Sequence, residues 1–151
     1  MRQAIKEGVV ANSQELEYTM RMVLRDKDGL VKETREIHNT VTAAGKNAIA
    51  DQLLASPTLG KPTHIGIGAG TPGANALGSE LDRNALTSKT RSGAVVTMVG
   101  NWAAGDGTGA ITEAAIFDSA SAGNTLLTTS FSVVNKAAGD TLEITWTLTV
   151  S

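Results

Sequence analysis

The stretch that most constrains the fold is residues 93–117, GAVVTMVGNWAAGDGTGAITEAAIF. In its first part Ala94, Val96, Met98 and Trp102 share one face, while Val95, Thr97, Val99 and Asn101 share the other. A period of two is the signature of a β-strand. Gly105-Asp106-Gly107-Thr108-Gly109 then forces a corner. Its glycines reach positive φ without a Cβ clash, and its aspartate can bond its own backbone. Residues 110–117 resume as a second, largely apolar strand. The pattern predicts a hairpin, with the rest of the chain pairing with it or covering it.

Other segments repeat the strand period. In residues 15–25, Leu16, Tyr18, Met20, Met22 and Leu24 point one way and Glu17, Thr19, Arg21 and Arg25 the other. Asp26-Lys27-Asp28-Gly29 is a hairpin turn. Residues 30–38 return with Lys32, Glu33, Arg35 and Glu36, and charge on both faces suits an edge strand. Residues 63–69 place Ile65 and Ile67 inward with glycines between them, and residues 70–81 read as a loop. Residues 82–91 read as one polar strand. In residues 124–134, Leu127, Thr129, Phe131 and Val133 share a face. At the end of the chain Leu142, Ile144, Trp146, Leu148 and Val150 face the core, while Glu143, Thr145, Thr147 and Thr149 face out.

One helix interrupts this series. Thr42 is placed to cap residues 43–55, where Ile49, Ala50, Leu53 and Leu54 form a stripe at helical spacing. Asp51 and Gln52 turn away from the stripe, and Ser56-Pro57 stops the helix. The helix is expected to lie across a sheet or to plug one end. About eight short strands joined by glycine-rich turns predict a mainly β fold, an antiparallel sandwich or jelly-roll-like structure with one helix.

The domain boundaries follow from the same reading. Residues 15–151 form one sandwich domain, an expected size for a single core. Residues 1–14 form an amino-terminal arm whose Ile5, Val9 and Val10 have no local partners. Those three residues are the expected interface with a neighbouring subunit.

Composition narrows the chemistry. The net charge is −2, which gives nucleic acid no electrostatic footprint. More than half of the charged side chains stand in the first 50 residues, where the signs nearly cancel, as on a solvated face. No apolar run reaches the roughly 18 residues of a membrane span, and no leader opens the chain. With no cysteine there is neither a disulfide nor a thiolate metal site.

Catalytic motifs are scarce. Gly66-Ile67-Gly68-Ala69-Gly70 suggests a nucleotide loop, but Thr71 stands where the dinucleotide fingerprint needs glycine, so a structural bend is expected. His38 and His64 are the only histidines, and no Gly-x-Ser-x-Gly elbow accompanies them. Glu113, inside an apolar strand, is expected to pair across the sheet or face out rather than serve as an acid. Trp102 and Trp146 are read as core or interface anchors rather than sugar platforms. The expectation is a protein without catalysis, cofactor or metal.

Five pieces in this order resemble a known group. They are HNTVTAAGKNAIADQLLAS, THIGIGAGT, LGSELDRNALTS, W-x-x-G-D-G-T-G-x-I-T-E-A-A-I-F-D and the threonine-rich last strand, running from His38 to Ser151. The order is similar to that in small virion structural proteins of tailed bacteriophages, which include capsid decoration, tail-fibre and baseplate components. The resemblance implies a self-assembling particle component, assembled in the host bacterial cytoplasm and located on the virion. Small size and the lack of a shaft repeat favour a capsid decoration (cement) protein. Its partners would be the major capsid protein and itself, as a homotrimer, with Ile5, Val9 and Val10 at the subunit or capsid interface. A tail-fibre or baseplate protein is the alternative. A carbohydrate-binding module is a reading from another class, and it requires exposed aromatics.

Overall fold

Alternating side chains build four hairpins and a last strand. The computed structural model describes residues 16–41 and 43–150. β1 (Glu17–Arg25) and β2 (Val31–Thr40) flank the first turn, where the Asp26 carboxylate accepts the N–H groups of Asp28 and Leu30. β3 (His64–Gly68) pairs with β4 (Glu80–Ala85), and β5 (Ser88–Ser92) with β6 (Val95–Trp102). β7 (Gly109–Phe117) pairs with β8 (Thr125–Lys136), and β9 (Thr141–Thr149) follows. All pairings are antiparallel.

Successive hairpins fall on alternate sheets. One sheet has the order β2-β1-β9-β6-β5 and the other β4-β3-β7-β8. β9 lies between the first and third hairpins, whereas the second and fourth join directly through β3 and β7. The inner faces share one core. Met20, Met22, Met98, Ile144 and Trp146 come from the first sheet, and Ile65, Ile67, Ile111, Ala114 and Ile116 from the second. This is the antiparallel sandwich that alternation implies, with charged β2 at an edge as expected. Its winding is by hairpins, and the nested Greek keys of a jelly roll are not what this strand order describes.

Three local expectations are corrected. β6 and β7 are not a hairpin, because β6 pairs with β5 and β9 while β7 pairs with β3 and β8. The glycine corner carries the chain from one sheet to the other, across the roughly 10 Å that separates packed sheets. Residues 82–91 are not one strand but parts of β4 and β5, in different sheets. The switch falls at two consecutive amides: Leu86 N–H bonds Thr63 O beside β3, and Thr87 N–H bonds Val99 O in β6. In β8 the register jumps from Ile111↔Val134 to Glu113↔Ser130. The irregularity turns Val134 and Lys136 inward and leaves Val133 44 % exposed.

The helix is also shorter than its pattern. α1 (Ala43–Asp51) gives way to tighter turns in which the N–H groups of Gln52, Leu53 and Leu54 bond the carbonyls of Ile49, Ala50 and Asp51, and the Asp51 carboxylate accepts the N–H groups of Thr58 and Leu59 and the Thr58 hydroxyl. Its buried residues are Gly45 and Ala48, with Ile49 packed alongside the core. Leu53 and Leu54, expected in the stripe, are 89 % and 57 % exposed. The helix plugs one end of the sandwich against the start of β8, so closely that a Cβ on Gly45 would meet the Leu126 carbonyl oxygen. Thr42, the expected cap, and the arm of residues 1–14 with Ile5, Val9 and Val10 lie outside the described residues.

Candidate functional site

Three places concentrate chemistry. The first surrounds Glu113 on the outer face of the smaller sheet. Its side chain points away from the main core, as one expected to face out would, but it is fully buried and its partners are loop amides rather than a cross-strand side chain. The loop after β3 folds over it. Oε1 accepts the N–H groups of Gly70 at 2.9 Å and Ser79 at 2.8 Å, and Oε2 accepts that of Gly78 at 2.8 Å. Thr112 Oγ1 donates to Gly70 O at 2.8 Å. A Cβ on Gly68 would run into Glu113 Oε1, which explains the glycine run that imitates a nucleotide loop.

Beside this carboxylate, Leu77, Ala115 and Phe117 form a small second core. The Arg83 guanidinium carbon sits 3.4 Å from the Phe117 ring centroid. Arg83 is held by Glu80 at 2.6 Å and by the carbonyls of Ser119 and Ala122. Both carboxylate oxygens of Glu113 are occupied by backbone donors, so its work is to staple the loop down. The pieces THIGIGAGT, LGSELDRNALTS and G-x-I-T-E-A-A-I-F, separate in sequence, meet here.

The second place is the end of the sandwich opposite α1. Lys136 is 2 % exposed and donates to Ala103 O at 3.0 Å. Burial holds its ammonium below the usual lysine range, against the opposing pull of Asp140, Asp106 and Asp82. Asp140 Oδ2 accepts Lys32 Nζ at 2.7 Å and Ala137 N–H at 2.8 Å. Those bonds, the Lys32 one first, hold the Asp140 carboxyl below its ordinary value. The cluster ties β2, the β8–β9 turn and the glycine corner together. Sequence reading missed Lys136, since only the irregularity in β8 brings it inward.

The third place is an apolar cleft under α1, of about 220 Å³. Ala48 and Ile49 line it from the helix, Val96 and Met98 from β6, Leu127 from β8 and Leu148 from β9. Lys61 and Lys89 stand among its lining residues, and Lys89 Nζ donates to Pro62 O at 2.6 Å. Gln52 and Gly60 also line it, and their chain neighbours Leu53 and Leu59 are exposed, as is Leu54. Large apolar side chains exposed next to an apolar cleft mark a contact surface.

The histidines are not brought together. His38 Nε2 lies 3.0 Å from Glu36 Oε1 on edge strand β2, and His64 Nδ1 lies 2.8 Å from Thr63 Oγ1 in the other sheet. Among the described residues no group of three His, Cys, Asp or Glu is arranged to hold a metal. All five aromatics are placed. Tyr18, Trp102, Trp146 and Phe117 are buried, and Phe131 packs against the core. Tyr18 and Trp146 are in contact, with ring centroids 5.0 Å apart, and the Tyr18 hydroxyl donates to Thr128 O at 2.6 Å.

No family model, no characterised protein and no solved structure matches this chain.

Proposed function

We propose that this protein is a bacteriophage virion structural protein, specifically a capsid decoration protein that binds the assembled head and braces it. The observation that carries the reading is the exposed apolar surface of Leu53, Leu54 and Leu59 at the helix end, a surface suited to contact with a large partner. The order of motifs that resembles virion proteins supports it from another side. Three of those motifs, separate in sequence, meet around Glu113.

The partners are the major capsid protein and further copies of this chain, as a homotrimer on the shell. Edge strands β2 and β5 carry Lys32, Glu33, Arg35, Lys89 and Arg91, which discourages strand-to-strand addition along the larger sheet. A protein that binds only the assembled lattice stabilises it by mass action. The burial of all aromatics but Phe131 counts against a carbohydrate-binding module.

The test pairs co-sedimentation with particles lacking the protein and thermal melting of the free protein. Each leucine buried on binding contributes about 1.5–3 kcal/mol, so Leu53→Ser with Leu54→Ser should weaken binding at least roughly tenfold. The melting temperature should stay near wild type, because both side chains are exposed. Undiminished binding, or a reconstruction with one copy per particle, overturns the decoration reading. Density on the tail would move the protein to the tail-fibre or baseplate class.

A further inference from the structure

We propose that the apolar cleft under α1 is the seat of the chain's own residues 1–15, anchored by Ile5, Val9 and Val10. The cleft's walls are almost wholly aliphatic, and its volume of about 220 Å³ is ample for aliphatic side chains. Three features point to this occupant.

The first is where the described chain begins. Leu16 packs against the core, and its carbonyl accepts Val41 N–H at 2.8 Å, just before α1. Two residues on, Tyr18 pairs with Leu148, which lines the cleft. Residues 1–15 therefore depart from the cleft's own end of the sandwich. The second is reach. An extended chain spans about 3.3 Å per residue, so Val9 and Val10 can lie roughly 20 Å from Leu16, a distance of the order of the sandwich end itself. A tethered segment also acts at millimolar effective concentration, which a separate partner does not match. The third is composition. Ile5, Val9 and Val10 are the branched aliphatics of the segment, of the same kind as the side chains that line the cleft.

This inference does not rest on the virion reading. It places the three residues expected at a subunit interface against their own domain instead. The exposed leucines 53, 54 and 59 remain available to a partner.

The chain has no cysteine, so paired cysteines report proximity cleanly. Glu7→Cys with Lys61→Cys is compared with Glu7→Cys with Lys27→Cys, Lys27 being exposed in the β1–β2 turn at the far end. Full-length protein is treated with a short bis-maleimide and resolved by mass and gel mobility. The expected result is an intramolecular cross-link at least roughly tenfold more abundant in the first pair. Adding Ile5→Ser, Val9→Ser and Val10→Ser should reduce it to the level of the second pair. The same serine changes in the otherwise wild-type chain should shift the Met98 methyl resonance in solution. Equal cross-linking in both pairs, cross-linked dimers in the first, or a Met98 resonance unmoved by the serines would overturn the proposal.

Discussion

At the scale of single residues, Glu113 and Asp140 show how a buried charge organises a loop. Glu113→Ala would leave three backbone donors without an acceptor, at about 1–3 kcal/mol each. A loss on the order of 4 kcal/mol is expected in denaturant unfolding. Glu113→Gln should cost less, because its carbonyl can still serve Gly70 and Ser79 while its amide opposes Gly78 N–H. Equal stability of all three proteins would contradict the staple. Asp140 yields a pH prediction. Its folded value lies below the ordinary 3.8, so the unfolded chain binds the proton more readily. The contribution is complete above 3.8 and is lost as pH falls through the lower folded value. Asp140→Asn should therefore lose stability near neutral pH, with the gap from wild type closing in acid. Lys136 acts on the alkaline side: burial lowers its folded value, so its contribution to stability becomes more favourable as pH climbs toward 10.5.

At the scale of elements, the glycine corner sets the clearest test. Gly105 and Gly107 both hold positive φ, at 90° and 61°. Valine at either position should cost about 1–3 kcal/mol in backbone strain. Position 105 is otherwise open, whereas a Cβ at 107 would lie 2.6 Å from Ile67 Cδ1. Gly107→Val should therefore cost a further 1–3 kcal/mol from overpacking, seen as a lower denaturation midpoint than Gly105→Val. The reversal at this corner was legible from Gly105, Gly107 and Gly109, but its partner strands were not. A hairpin and a sheet-to-sheet crossing share the same local pattern, and only pairing with β5 and β9 on one side and β3 and β8 on the other separates them. Leu86-Thr87 was illegible for the same reason, since consecutive amides there serve different sheets. Inward faces in β1 and β9 read directly, because alternation there is unbroken from Tyr18 to Met22 and from Leu142 to Leu148. The cleft under α1 could not be read at all. Its lining comes from five elements, and the stripe that signalled the helix included Leu53 and Leu54, which lie beyond its end.

At the scale of the whole molecule, the sandwich depends on contacts distant in sequence. Trp146, at the centre of β9, faces Met20 on one side and Met98 on the other and has no exposed surface. Trp146→Ala should cost about 3–5 kcal/mol in thermal or denaturant unfolding. Its indole N–H has no acceptor among the described residues, so Trp146→Phe should cost markedly less. The position of β9 between β1 and β6 has a consequence for how the protein comes into being. Translation delivers β9 after the other eight strands, so a nascent chain stalled at Asp140 holds the β1–β2 and β5–β6 hairpins with nothing between them. Two open edges and an unfilled gap invite capture by chaperones or by another unfinished chain. Closure of the larger sheet thus waits on a single strand. Protease resistance should appear abruptly once residues 141–149 clear the exit tunnel, rather than growing with each hairpin made.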